Sequence, residues 1–158
     1  MGLNVVGIPT QRREGSIMAN QAVVHVIDDD AIARKSLANL LTTEKFHVRT
    51  YKSARAFLKV LPEVEDGCIL TDFRMPKVDG LELIRRVRDL GRKMPAIVIS
   101  GRYDVSLAAE VVRAGAIGFL KKPVDAELLI AWTRSAFVRG MQRRTRTDGP
   151  GVVSALSH

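Results

Sequence analysis

The sequence predicts an α/β protein of one domain, built on a parallel sheet with helices on both faces. Short apolar runs rich in β-branched residues alternate five times with longer segments whose apolar residues recur at helical spacing. Strict alternation of this kind favours a parallel sheet with right-handed crossovers. The chain has 158 residues, 46 % of them hydrophobic, which is enough to build the core of one such domain.

The strands and helices follow one another along the chain. The five predicted strands, all short and apolar, cover residues 23–27, 46–51, 68–71, 96–99 and 117–120. The five predicted helices, all with apolar residues three or four positions apart, cover residues 31–43, 54–61, 81–90, 104–114 and 125–139. Continuous apolar strands are typical of a sheet that is covered on both faces. The commonest arrangement of five such units is the flavodoxin-like, doubly wound order 2-1-3-4-5.

Local signals mark the ends of these elements. Asp30 and Ser53 stand at the N-cap positions of the first two helices, and Pro62 ends the second. A loop that contains Pro76 leads into the third helix, and Gly115 closes the fourth. These residues separate the periodic segments, so each predicted element has a physical reason to begin or end where it does.

The flanking segments set the limits of the domain. Residues 1–21 and 140–158 lack sustained periodicity, and we expect them to be flexible tails around a domain at residues 22–139. Met18 is a second possible start site. Part of the formal net charge of +8 lies outside the periodic core, at Arg12, Arg13, Arg139, Arg143, Arg144 and Arg146. We interpret these arginines as solvated tail residues rather than as a nucleic-acid interface.

Composition excludes several classes of protein. No apolar run approaches the length of a membrane span, and Gly7 and Pro9 interrupt the N-terminal apolar stretch, which is unlike a signal peptide. We therefore expect a cytoplasmic protein that does not enter a membrane. The single cysteine, Cys68, excludes an internal disulfide and a cysteine-based zinc site. Its apolar neighbours indicate that it packs in a buried strand.

Polar residues stand at the carboxyl ends of four predicted strands, where an open parallel sheet places its functional site. In chain order they are Asp28, Asp29, Asp30, Asp72, Ser100 and Lys122. Taken singly, these residues have ordinary explanations: the acidic turn can cap a helix, the lysine can be exposed, and the serine can belong to a turn. Their joint occurrence after strands one, three, four and five favours a common site.

The side chains in this set suit phosphoryl transfer. Clustered carboxylates repel one another, and a hard cation such as Mg²⁺ relieves that repulsion while it keeps ligand positions for water and phosphate oxygens. A carboxylate can attack phosphorus and form an aspartyl phosphate. A lysine can offset the charge on the transferred group, and a hydroxyl can donate a hydrogen bond to it. The set therefore predicts a Mg²⁺-dependent phosphoryl site.

The same residues resemble the receiver domain of two-component response regulators, the CheY-like family. The resemblance runs from Val23 to about Phe137 and is greatest to receivers of nitrogen-fixation and LuxR-type regulators. Four segments carry it, in the expected order: Val-Ile-Asp-Asp-Asp (26–30), Thr-Asp-Phe-Arg-Met-Pro-Lys-Val-Asp-Gly (71–80), Val-Ile-Ser-Gly (98–101) and Gly-Phe-Leu-Lys-Lys-Pro (118–123). It implies a flavodoxin-like fold and a phosphorelay function.

The resemblance implies a phosphoacceptor and a set of metal ligands. Asp72 corresponds to the residue that receives the phosphoryl group. Asp28 and Asp29 correspond to the acidic pair that holds Mg²⁺, and Asp72 and the backbone carbonyl of Arg74 complete the protein ligands. Mg²⁺ is therefore the expected cofactor.

The resemblance also implies how phosphorylation is read. Ser100 corresponds to the hydroxyl that bonds the phosphoryl group after transfer, and Lys122 to the lysine that pairs with it. Phe119 occupies the aromatic switch position and is expected to rotate when Ser100 moves. The bond between Lys122 and Pro123 is expected to be cis, as in the family.

The partners implied are those of a phosphorelay. Such a chain accepts its phosphoryl group from a histidine kinase or a histidine phosphotransfer protein, and it is a signalling domain rather than an enzyme. About 19 residues follow the last predicted helix, so we expect a stand-alone receiver that acts through an unidentified output protein or through a homodimer formed on phosphorylation. Val105, Ala109 and Val112 are candidate contacts of that dimer.

Three other functions stay open. A metal-dependent phosphatase or phosphotransferase would share the aspartyl phosphate, but such enzymes usually need a second acid two residues after the nucleophile, where this chain has Arg74. A DNA-binding accessory protein would use the arginines of the basic tail and would be sensitive to salt. A phosphate sink would accept the phosphoryl group without a dedicated output.

Overall fold

Five parallel strands form the centre of the molecule in a computed structural model that describes residues 23–148, with side chains to residue 138. The strands are β1 (Val23–Ile27), β2 (His47–Tyr51), β3 (Cys68–Asp72), β4 (Ala96–Ser100) and β5 (Gly118–Lys121). Their spatial order is β2-β1-β3-β4-β5, as predicted. The chain direction across the sheet reverses at β1 and β3, so these two strands flank the crevice where such sheets bind ligands.

Five helices connect and cover the strands. They are α1 (Ala31–Thr43), α2 (Ala54–Val60), α3 (Gly80–Asp89), α4 (Val105–Ala114) and α5 (Ala126–Asp148), and a 3-10 turn at Leu61–Glu63 follows α2. The predicted caps are present: Asp30 Oδ1 accepts hydrogen bonds from the backbone of α1, and Ser53 Oγ from that of α2. Gly115 closes α4 with φ of 100°, a left-handed conformation that favours glycine.

The last helix is longer than the sequence pattern indicated. Residues 140–148, expected to belong to a flexible tail, continue α5 to Asp148. Arginine, glutamine and methionine, which are common in this stretch, have high intrinsic helix propensity, so the helix continues after its apolar periodicity has ended. The expectations for residues 1–22 and 149–158, including the N-terminal tail and Met18, fall outside the described residues.

The core has two halves, one on each face of the sheet. One half packs α2, α3 and α4 against the sheet, around residues such as Phe57, Leu83 and Leu107. The other packs α1 and α5 against the opposite face, around Leu41 and Leu129. Alternate strand residues supply the two halves, which explains why the strands read as continuous apolar runs.

Cys68 is fully buried in β3, as expected of a packing residue. Burial raises the pKa of its thiol to about 12, so the thiolate needed for reactivity is scarce at neutral pH. A search of the helices among residues 23–148 finds none that is long and apolar enough to cross a bilayer.

Candidate metal and phosphoryl site

The predicted polar residues meet at the carboxyl edge of the sheet. Asp28 directly follows β1, Asp72 ends β3, Ser100 ends β4, and Lys122 directly follows β5. Because β1, β3, β4 and β5 are successive neighbours in the sheet and all run parallel, their carboxyl ends lie along one edge. The convergence predicted from the sequence is therefore present in the fold.

Three carboxylates form a cluster at the crevice between β1 and β3. One oxygen from each of Asp28, Asp29 and Asp72 lies within 4.8 Å of the other two. Asp28 and Asp72 are buried, whereas Asp29 is exposed, so the cluster is open to solvent on one side. Burial raises the pKa of Asp28, and the charges of Asp72 and Asp29 add to that rise against a hydrogen bond from the backbone of Asp30.

This donor set fits a hard divalent cation. Mg²⁺ binds oxygen ligands at roughly 2.1 Å, so two of its ligand oxygens stand up to about 4.2 Å apart, and the cluster needs only small side-chain movements to reach that spacing. A cation also removes the repulsion that raises the pKa of Asp28. The carbonyl of Arg74, two residues after β3, stays a predicted ligand, and the side chain of that residue is exposed.

The third aspartate of the acidic turn has a different part. Asp30 Oδ1 accepts hydrogen bonds from the backbone N–H groups of Ile32 at 2.9 Å and Ala33 at 3.2 Å. Its carboxylate therefore caps α1 and is absent from the three-carboxylate cluster. The helix-capping explanation holds for this one residue of the turn, while Asp28 and Asp29 belong to the site.

Lys122 reaches the buried aspartate directly. Its Nζ donates to Asp72 Oδ1 at 2.9 Å, and the Asp72 side chain is only 8 % exposed. Burial by itself lowers the pKa of Lys122, but the hydrogen bond to Asp72 and the charges of Asp72, Asp28 and Asp30 outweigh it and raise the pKa. Lys122 is therefore an ammonium at neutral pH. Its peptide bond to Pro123 is cis, as expected.

Ser100 lies next to Asp72 across the sheet. In the β3–β4 register Asp72 pairs with Ile99, the residue before Ser100. The hydroxyl oxygen of Ser100 is buried and accepts a hydrogen bond from the backbone N–H of Arg102 at 3.0 Å. The hydroxyl hydrogen is left to donate elsewhere, which suits a group that is expected to bond a phosphoryl oxygen.

Phe119 lies on β5, opposite Val98 of β4, and its side chain is partly buried. Its ring is stacked on that of Tyr103, with centroids 4.9 Å apart and an interplanar angle of 28°. Tyr103 belongs to the loop between β4 and α4, so this contact joins the switch position to the loop that follows Ser100. The rotation expected of Phe119 stays a prediction.

Two residues at the site were not found by sequence reasoning. Arg34 of α1 donates from Nη1 to the backbone carbonyl of Asp28 at 2.7 Å. Gly80 begins α3, and a Cβ placed there would lie 2.6 Å from the carbonyl oxygen of Asp72. Gly80 stood in the motif at residues 71–80, which was a usable signal, whereas Arg34 had none because helix periodicity does not show where a long side chain reaches.

Comparison with known proteins identifies the class to which this fold and site belong. Residues 24–134, well over half of the chain, match the family described as response regulator receiver domain. The chain therefore belongs to the receiver domain family of two-component response regulators, as the resemblance implied. Its phosphoryl-accepting function is that of the family, and the residues that perform it here are inferred from the geometry above.

Within that family the chain is similar to FixJ proteins. It is 45 % identical over 107 residues to transcriptional regulatory protein FixJ of Rhizobium meliloti (strain 1021), covering 68 % of this chain and 52 % of the relative. It is 41 % identical over 136 residues to FixJ of Azorhizobium caulinodans, covering 86 % of this chain and 64 % of the relative. The chain thus spans less than two thirds of the length of these curated relatives.

Solved structures show the same relationship. The crystal structure of FixJ-N aligns with a TM-score of 0.69 at 42 % identity, over 73 % of this chain and 93 % of that one. Full-length FixJ from B. japonicum aligns with a TM-score of 0.74 at 37 % identity, over 80 % of this chain and 62 % of that one. The nitrogen-fixation likeness predicted from the motifs is therefore confirmed.

Proposed function

We propose that this chain accepts a phosphoryl group on Asp72 in a Mg²⁺-dependent reaction and then changes a protein-binding surface. One observation carries the proposal: the Lys122 ammonium lies 2.9 Å from Asp72 Oδ1, beside two further carboxylates in the same cluster. A purely structural ion pair would need one acid, whereas this lysine lies among three. The surplus negative charge is suited to a cation.

The residues divide the transfer between them. A carboxylate oxygen of Asp72 forms the new bond to phosphorus while the bond from phosphorus to the donor's leaving group breaks, and the leaving group keeps the electron pair. Lys122 offsets charge on the phosphoryl oxygens, and Ser100 donates its hydroxyl hydrogen to one of them. Asp28, Asp29, Asp72 and the carbonyl of Arg74 would hold Mg²⁺, which supplies further positive charge to the same oxygens.

The readout follows from contacts that the transfer disturbs. When Ser100 turns toward the phosphoryl group, the hydrogen bond that it accepts from the Arg102 backbone is lost. The loop after β4 is then free to move, and the ring of Phe119, stacked on Tyr103 of that loop, moves with it. A local electrostatic change thereby alters the surface around α4 and β5. Val105 and Val112, both largely exposed there, are candidate contacts of a dimer.

The proposed donor is a histidine kinase or a histidine phosphotransfer protein, in the cytoplasm. The output is proposed to be contact with a partner protein or with a second copy of the chain. The FixJ relatives are named transcriptional regulatory proteins. Turnover of a separate substrate is not part of the proposal, because position 74 carries an arginine where an aspartyl-phosphate enzyme of that kind needs an acid.

Labelling by a small phosphodonor such as acetyl phosphate tests the acceptor. With Mg²⁺, intact mass spectrometry is expected to find one phosphoryl group on the wild-type chain and none on Asp72→Asn. Chelation of Mg²⁺ is expected to prevent labelling of the wild type. Asp30→Asn is the matched control, because its carboxylate caps α1 instead of joining the cluster, and it is expected to label. Equal labelling of Asp72→Asn and wild type would disprove the assignment.

A further inference from the structure

The acidic turn after β1 is held by hydrogen bonds at each of its polar groups. The backbone N–H of Asp28 donates to the carbonyl of Tyr51 at 3.2 Å, and its Oδ1 accepts from the backbone N–H of Asp30 at 2.9 Å. The carbonyl of Asp28 accepts from Nη1 of Arg34 at 2.7 Å. Among the described residues, Arg34 is the side chain from a neighbouring helix that holds this backbone.

The geometry points to Arg34 as a positioning residue for the metal-binding carboxylates. Arg34 lies in the first turns of α1, six positions after Asp28, and α1 is fixed to the sheet by Leu41 on its buried side. A bond from the charged guanidinium is stronger than one between neutral groups. By holding the carbonyl of Asp28, it fixes the backbone that sets the direction of the Asp28 carboxylate.

The guanidinium is committed to this bond. Arg34 is half-buried, and among residues 23–138 it pairs with no carboxylate at ion-pair distance. An arginine at an acidic site would ordinarily turn toward a carboxylate, as Lys122 does toward Asp72. Arg34 contacts the backbone instead, so the carboxylates of the cluster keep their oxygens for a cation. The inference rests on the proposed function, because it assigns Arg34 a part in the same metal site.

Two effects of Arg34 on metal binding have opposite signs. Its positive charge repels a divalent cation, so loss of the charge alone would strengthen Mg²⁺ binding. Loss of the anchor would weaken it, because groups that orient metal ligands typically change affinity by about 10- to 100-fold. Repulsion between charges near the surface is screened by water and salt and is smaller. The positioning effect is therefore expected to dominate.

A matched pair of variants separates the two effects. Arg34→Gln removes the charge and the anchor, whereas Lys35→Gln removes the same charge from the adjacent, exposed position. Mg²⁺ affinity, measured by calorimetric titration of the whole chain, is expected to fall about 10-fold in Arg34→Gln and to stay near wild type in Lys35→Gln. Without Mg²⁺, hydrogen exchange of the Asp30 amide is expected to be faster in Arg34→Gln only.

Arg34→Lys keeps the charge and one donor on a shorter side chain, and we expect intermediate values of both quantities. It decides the question if Arg34→Gln does not fold. Wild-type affinity and wild-type exchange of the Asp30 amide in Arg34→Lys and Arg34→Gln would overturn the inference while the proposed function stands. A wild-type chain that binds no Mg²⁺ would overturn both. Thermal melting of each variant shows whether a change is confined to the turn.

Discussion

Gly80 stands where the first turn of α3 meets the backbone that carries Asp72. Its N–H donates to the carbonyl of Phe73 at 2.9 Å, which ties the start of the helix to the end of β3. A Cβ at this position would lie 2.6 Å from the carbonyl oxygen of Asp72 and 3.2 Å from Cα of Phe73. Both contacts are with backbone, so no flexible side chain can move aside to make room.

Gly80→Ala is expected to lower the free energy of unfolding by roughly 1–3 kcal/mol, the usual cost of overpacking. The alanine gains up to about 1 kcal/mol of helix propensity, which offsets part of that cost. Urea unfolding measures the difference. Gly101→Ala is the control, since a Cβ there meets no heavy atom within 4 Å. Equal stability of Gly80→Ala and Gly101→Ala would contradict the close approach seen here.

At the scale of elements, Arg92 joins the end of α3 to the segment that leads into β3. Its Nη1 donates to the carbonyl of Leu61 and its Nη2 to the carbonyl of Val64 at 2.9 Å. Its Nε and Nη2 both donate to Asp66 Oδ1. One guanidinium therefore satisfies the 3-10 turn and the following loop, which have few backbone bonds of their own.

Arg92→Met is expected to lower the free energy of unfolding by roughly 2–3 kcal/mol, because two carbonyls and a carboxylate lose a charged donor. Chemical denaturation measures this loss. Arg85→Met is the comparison, since Arg85 pairs only with Glu82, at 3.8 Å, and both side chains are about half exposed. A pair of that kind contributes little, so Arg85→Met is expected to be near neutral. Similar losses in the two variants would mean that the linkage contributes nothing.

The order and type of the elements followed from the sequence because burial on both faces leaves a pattern along the chain. Except for α5, the predicted limits differ from those of the structure by one residue at most. The limit of α5 was missed because the apolar pattern ends near Phe137, while residues of high helix propensity carry the helix on to Asp148. Apolar periodicity reports where a helix packs and gives no signal where it stops packing.

The site could be predicted where strand ends alone determine position. Asp28, Asp72, Ser100 and Lys122 follow their strands directly, so the topology brings them together. The hydrogen bonds of Arg34 and of His25 could not be predicted, because they depend on the direction of long or buried side chains after packing. Sequence alone also could not separate Asp30, which caps α1, from the two aspartates that join the cluster.

At the scale of the whole molecule, a buried histidine joins three parts of the fold. His25 of β1 is fully buried, with Nδ1 2.9 Å from the hydroxyl of Tyr51 on β2 and Nε2 2.9 Å from the carbonyl of Glu65, before β3. A carbonyl only accepts, so Nε2 carries the proton and Nδ1 accepts from the tyrosine. Burial lowers the pKa of His25, although the bond to Glu65 opposes it.

His25 makes the stability of the molecule depend on pH. Between its lowered pKa and the ordinary value of 6.5, the unfolded chain binds a proton that the folded chain does not. The free energy of unfolding therefore falls as pH falls through 6.5, by at most about 1.4 kcal/mol per pH unit for one group. Arg49 and Arg92 also lower the pKa of His25, and neither loses its charge in this range.

Urea unfolding at about pH 7.5 and pH 5.5, without Mg²⁺, is expected to show this loss in the wild type and a smaller one in His25→Gln. Asp28 and Glu65 are present in both proteins, so their titration largely cancels in the comparison; the bond from Arg49 holds the pKa of Glu65 at about 2. His47→Gln, at an exposed histidine of β2, is expected to keep the wild-type dependence. An equal loss in His25→Gln would show that other groups cause it, since the substitution removes the one buried imidazole among the described residues.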